Sequence, residues 1–132
     1  MAPTIVPVYA GVLALIYIFL AVRVIRTRQS ARVAIGTGGN ARLARAIRVH
    51  SNFAEYVPIA LLLLAFMEMQ GRPAWWINVL CLGLVAARLV HAYGVAQENE
   101  NLRFRTIGVA TTFLVLAASS LSLLGGALRL AS

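Results

Sequence analysis

Lysine and aspartate are absent from this sequence, and acid of any kind is scarce: twelve arginines stand against four glutamates, for a formal net charge of +8 over 132 residues. The one cysteine, Cys81, excludes an internal disulfide and lies in an apolar stretch, where a thiol behaves as a small hydrophobe. Two histidines and a few scattered glutamates form no cluster at metal-ligand spacing, so no metal site is expected. There is no Ser/His/Asp pattern and no protein nucleophile to carry catalysis. The glycine-rich run Gly36-Thr37-Gly38-Gly39-Asn40 lacks a following Gly-Lys-Ser/Thr and a preceding strand, so it reads as a turn rather than a phosphate loop. The arginines cluster beside apolar runs instead of forming one continuous basic face, which excludes nucleic acid as the partner.

What is abundant is hydrocarbon. Hydrophobic residues make up 61% of the chain and charged residues 12%, far from the balance of a water-soluble domain. A transmembrane helix needs roughly 20 apolar residues, so a chain of this length holds four with short connections. The apolar runs predict a single all-α domain over 1–132, an integral membrane four-helix bundle with helices at about 5–26, 41–69, 74–95 and 104–125. The first run is too long for a signal peptide and has its arginines after it, at Arg23, Arg26, Arg28 and Arg32. Arg-rich loops stay in the cytoplasm. Arg103 and Arg105 flank the second polar loop, Gln97 to Asn101, whereas Arg72 and Arg129 alone fall on the other side. Both termini are therefore expected outside the cytoplasm. Trp75 and Trp76 open the third span where aromatic anchors sit at an interface.

Ionisable residues inside a span cost roughly 2.5–3.5 kcal/mol even on a lenient insertion scale, so each calls for a partner or a purpose. The second helix carries Arg45, Arg48, Asn52 and Glu55 at spacings of three, four and three, on one helical face. The third adds Arg88 and His91, three apart, and the fourth begins with Arg105 and Thr106. With Arg23 and Arg26 at the end of the first, these residues could converge on a shallow polar chamber open to the Arg-rich side. The plain structural account is that Arg23, Arg26, Arg28 and Arg42 snorkel or set topology, that His91 packs, and that Arg88 neutralises Glu55. The Arg48/Asn52/Glu55 stripe exceeds that account, because pairing Glu55 needs one arginine and several are present. An excess of forked guanidinium donors with one Glu and one Asn suits a zwitterionic peptide carrying more than one carboxylate.

The segment Arg48-Val49-His50-Ser51-Asn52-Phe53-Ala54-Glu55-Tyr56-Val57-Pro58 closely resembles the membrane-associated proteins in eicosanoid and glutathione metabolism, a family that includes the microsomal glutathione transferases. The resemblance covers the whole chain: its length, its four spans, the Arg-rich first loop, the Arg-x-x-His late in the third helix and an Arg at the start of the fourth. It implies a homotrimer that binds glutathione between neighbouring subunits near the cytoplasmic face. By that resemblance Glu55 would hold the glutathione amino group. Asn52 and Arg48 would contact its peptide and carboxylate groups, Tyr56 would line the pocket, and Arg88, His91 and either Arg23 or Arg26 would add contacts. Arg105 would face the thiol, with Arg103 competing for that place. Glutathione would be a cosubstrate whose thiolate attacks a lipophilic electrophile or peroxide arriving from the bilayer, a detoxifying transferase or peroxidase reaction. The chain departs from the family's pattern at Val95, where well-studied members carry a tyrosine.

Two other readings stand beside this one. A non-catalytic lipid-binding or regulatory member of the same family would keep the fold without forming a thiolate. A small four-helix multidrug exporter would match in size, but it carries its lone membrane Glu in the first helix, which here has none. The lack of lysine and the wealth of Ala and Arg point to a GC-rich bacterial genome, hence to an inner membrane.

Overall fold

The computed structural model describes residues 2–131 apart from Glu98 and Glu100, and the side chains of Ala127, Arg129, Leu130 and Ala131 are outside the description. Four helices follow one another: α1 (Val6–Ala31), α2 (Ala41–Met69), α3 (Ala74–Ala96) and α4 (Leu102–Ala131). Each is long and apolar enough to cross a membrane. The chain is an all-α membrane four-helix bundle, and two of its helices run past the expected ends.

α1 continues five residues beyond position 26 because Arg and Gln are good helix formers at no packing cost. It stops at Arg32, whose φ of 54° is left-handed, with Arg32 N–H donating to Gln29 O and Val33 N–H to Arg28 O. The Arg28 guanidinium then turns onto the loop, donating to Gly36 O at 2.8 Å. α2 opens on Asn40, whose side-chain oxygen accepts from Leu43 N–H at 2.9 Å. It closes at Gly71, φ 71°, with Gly71 N–H on Glu68 O and Arg72 N–H on Met67 O. α4 runs through Gly125 and Gly126 to Ala131, past the expected end near 125, since glycine alone does not break a helix where little water competes for the backbone. Arg72 donates from Nη2 to Ser122 O on α4, and a side chain at Gly126 would strike that same nitrogen. The Arg129 side chain, expected on the same side as Arg72, lies outside the described residues.

α1 attaches along a narrow seam. Val6, Leu13, Leu20 and Thr27 are buried at seven-residue intervals, the spacing of a left-handed helix pair. The opposite face of α1, with Leu15, Ile18 and Phe19, is exposed hydrocarbon suited to lipid or to a neighbouring subunit. α1 packs chiefly on α2, α4 chiefly on α3, and α2 with α3 joins the two pairs.

At the end away from the arginine clusters, α1 is held by an acid from another helix. The Glu68 carboxylate accepts from the backbone N–H groups of Thr4, Ile5 and Val6 at 2.6, 2.6 and 2.8 Å. Those N–H groups have no partner within α1, and their positive end favours a negative charge. Replacing Glu68 with Ala is expected to cost about 1 kcal/mol, as for loss of an N-cap, read as a lowered unfolding midpoint in mixed micelles. An unchanged midpoint would mean that water caps this end equally well.

α3 and α4 approach most closely toward the Arg-rich end. A Cβ on Gly94 would stand 2.7 Å from Phe104 Cβ, and one on Gly108 would stand 2.8 Å from Ala87 O. Only glycine fits at these crossings, which set the depth at which Arg88 meets α4.

Candidate functional site

The polar residues of α2 divide between two directions. Arg45 donates from Nη1 to Val95 O on α3 at 3.3 Å, and the Tyr56 ring meets Phe113 of α4 edge-on at 5.4 Å. Asn52 is half-buried, and its Oδ1 accepts from Arg88 Nη2 at 2.7 Å. Arg48 and Glu55 are exposed. At 100° per residue they lie roughly 60° or less around the helix from Asn52, so the stripe curves from the interior to the outer flank of α2.

Arg88 is the largest fully buried side chain, 1% exposed. Besides Asn52, it donates from Nη1 to the Thr112 hydroxyl at 3.3 Å and lies 3.2 Å from His91 Nδ1, while its guanidinium carbon sits 5.8 Å from the centre of the Phe53 ring. Thr112 passes its own proton to Gly108 O at 2.8 Å. Arg88 Nε has no hydrogen-bond partner among the described residues. The purely structural pairing of Arg88 with Glu55 is not formed: the guanidinium is spent on an amide, a hydroxyl and an imidazole, and Glu55 is exposed. The buried arginine fixes the Asn52 amide in one orientation, since Oδ1 must face Nη2 to accept from it.

Arg88 and His91, 1% and 2% exposed, thus stand behind Asn52 rather than beside it. Arg105 is half-buried in the first turn of α4, and Arg103 is exposed. Arg105's backbone lies against Gly94, so the glycine crossing holds that turn onto the end of α3. Arg23 and Arg26 are grouped elsewhere, in a cavity with Arg42 between α1 and α2. Val95 is buried, with its carbonyl accepting from Arg45. Within one chain, then, Asn52, Arg88 and His91 come together with Tyr56 beside them. Arg48 and Glu55 lie on the adjoining outer flank, and the α1 arginines lie apart.

Three participants were not singled out from the sequence. Thr112 gave no sign beyond a hydroxyl in an apolar helix. Gly94 and Gly108 did give one, since an isolated glycine inside a helical pattern usually marks close packing. Among the described residues no group of His, Cys, Asp or Glu could hold a metal ion.

Pro58, one turn beyond Glu55, has no N–H to return to the Ala54 carbonyl. An apolar groove of about 470 Å³ opens there between α1 and α2, lined by Tyr17, Phe53, Ala54, Val57, Pro58 and Leu61 among others. The His50 ring stacks on Tyr17 at 4.8 Å near its Arg-rich end.

Four membrane-crossing helices with a buried arginine–asparagine pair behind an exposed Arg/Glu flank define a small polytopic membrane protein with a polar site beside its apolar surface. The MAPEG family profile matches residues 6–125, and the chain belongs to that family. It is 40% identical over 108 residues to the inner membrane protein YecN of Escherichia coli K12, covering 82% of this chain and 81% of that one. The YecN of E. coli O6:H1 strain CFT073 matches to the same extent. No solved structure matches the chain. Family membership sets aside the multidrug-exporter reading.

Proposed function

We propose that this chain binds glutathione on the outer flank of α2 and presents it as a thiolate to lipophilic electrophiles or peroxides, as a membrane glutathione transferase or peroxidase. The observation that carries the reading is the exposure of Glu55 and Arg48 on a membrane-spanning helix. Glu55 lies midway along α2, roughly 21 Å from either end, and an ion in the middle of a membrane-spanning helix does not face lipid without a large cost. A ligand with complementary charges, enclosed by a neighbouring copy of the chain, removes that cost. The proposal therefore includes a homotrimer whose subunit interface covers this flank.

In this reading Glu55 takes the glutathione ammonium and Arg48 a carboxylate. Asn52, oriented by Arg88 and His91, donates Nδ2 to the peptide, and Tyr56 lines the floor. Arg23 or Arg26 of one subunit adds a contact to the site. Arg105 faces the sulfur. Its guanidinium and the N-terminal end of α4 both favour thiolate over thiol, the released proton going to water. The thiolate pair then forms the bond to the electrophilic carbon or peroxide oxygen as the leaving group departs, and glutathione's binding energy serves to place the sulfur. Membrane lipids surround the site and deliver the apolar substrate. As for the related E. coli protein, the compartment is the inner membrane, with the arginine-rich loops in the cytoplasm and both termini outside.

The test is the ultraviolet absorbance of thiolate on titrating the detergent-solubilised protein with glutathione near neutral pH. A saturable signal is expected. In an Arg105→Ala protein the signal is expected to fall about tenfold or more, while calorimetric glutathione affinity changes little. A retained signal would move the thiol-facing role to Arg103. One observation favours a second reading, a non-catalytic lipid-binding or regulatory member: apolar Val95 stands where well-studied members carry tyrosine. That reading predicts glutathione binding without any thiolate signal.

A further inference from the structure

We propose that the cavity between the end of α1 and the start of α2 is a binding site for the phosphodiester headgroup of an anionic phospholipid. The cavity, about 380 Å³, is lined by Phe19, Val22, Arg23, Arg26, Thr27 and Arg42. It therefore gathers arginines from two helices, with no carboxylate in its wall among the described residues. The Thr27 hydroxyl is committed to Arg23 O at 2.8 Å. The neighbouring Arg28 is turned away onto the loop carbonyls. What is left facing the cavity is a set of guanidinium forks whose mutual repulsion an anion would relieve, and such forks match phosphate oxygens in pairs. Arg42 sits in the first turn of α2, where the helix end adds to the positive potential.

The lower wall decides between a free anion and a lipid. Phe19 and Val22 are 66% and 38% exposed and lie on the membrane side of the arginines, continuing into the bare hydrocarbon face of α1. A headgroup at the level of the arginines would lay its acyl chains along that face, and a soluble phosphate would leave it uncovered. Basic pockets at span ends recognise anionic headgroups in this way. The glutathione reading takes at most one contact from Arg23 or Arg26 and none from Arg42, so the two sites can be tested separately.

The full chain would be reconstituted in bilayers containing spin-labelled phosphatidylglycerol or phosphatidylcholine, and the motionally restricted fraction of each measured by electron paramagnetic resonance. Selectivity for phosphatidylglycerol is expected, falling about fivefold in Arg42→Gln and largely restored in Arg42→Lys. Arg32→Gln removes the same charge at the same end but outside the cavity, and its selectivity is expected to match the parent. Equal restriction of both lipids in the parent would overturn the site. Equal losses in Arg32→Gln and Arg42→Gln would replace it with a diffuse basic surface. Loss of selectivity with inorganic phosphate, but not with chloride at matched ionic strength, would assign the cavity to a free anion instead. Glutathione calorimetry on the Arg42→Gln protein is expected to match the parent, so failure of either site is read independently of the other.

Discussion

A Glu55→Gln protein is expected to bind glutathione about ten- to a hundredfold more weakly than the parent in calorimetric titration, with its helix content and unfolding midpoint unchanged. The magnitude follows from one charge-assisted hydrogen bond, about 1.5–3 kcal/mol, lost between carboxylate and ammonium. The neutral amide keeps the shape and removes only the charge. Stability should hold because Glu55 is exposed and is no part of the buried Arg88 cluster. Unaltered affinity in this variant would show that the outward flank of α2 does not read the ligand's amino group. The proposed site would then have to move toward the α1 arginines.

The largest structural effect is expected at Gly108. A Cβ there would stand 2.6 Å from His91 Cβ and 2.8 Å from both Ala87 O and His91 N. Two of those atoms are backbone, so no rotamer change relieves the clash and α4 must move off α3. Gly108→Leu is expected to cost about 3 kcal/mol, the upper end for overpacking, and to lower glutathione affinity as well. The second effect follows from Thr112, one turn further along α4, which would draw back from Arg88 and loosen the guanidinium that orients Asn52. Gly83→Ala is the matched control, since its Cβ would meet only Val115 Cγ2 at an ordinary 3.6 Å. Unfolding in mixed micelles followed by circular dichroism measures both. Equal midpoints for the two variants would mean that the α3–α4 crossing is softer than its backbone contacts indicate.

The spans were legible because hydrocarbon thickness fixes the length of an apolar run, and only the ends shifted. α1 reached Ala31 and α4 reached Ala131 because arginine, glutamine and even paired glycines continue a helix when nothing competes for the backbone. The stripe on α2 was legible as a face, and spacing placed Asn52 and Glu55 on the same side. Spacing could not say that the face straddles a boundary, with Asn52 turned onto Arg88 and Glu55 turned outward. That division depends on where α3 and α4 lie, which two glycines decide. The neighbours of Arg88 were hidden for the same reason: charge alone offered Glu55 as a structural partner, whereas the packing of α3 against α2 and α4 supplies an amide, a hydroxyl and an imidazole. Glu68 gave no sign of its task, because an N-cap supplied by a helix more than sixty residues away has no local spacing to reveal it.

The division of the bundle into α1 with α2 and α3 with α4 bears on how the protein is made. Each pair is a hairpin in which neighbours in sequence are neighbours in space, so the first can close and enter the bilayer while the second is still being synthesised. The Glu68 carboxylate locks that first hairpin at its open end, joining the start of α1 to the last turn of α2 before α3 exists. The Arg88–Asn52 bond forms only when the second hairpin docks. The orientation of Asn52 is therefore a late product of biogenesis: a chain halted after its first two helices would display the whole α2 stripe with nothing yet behind Asn52.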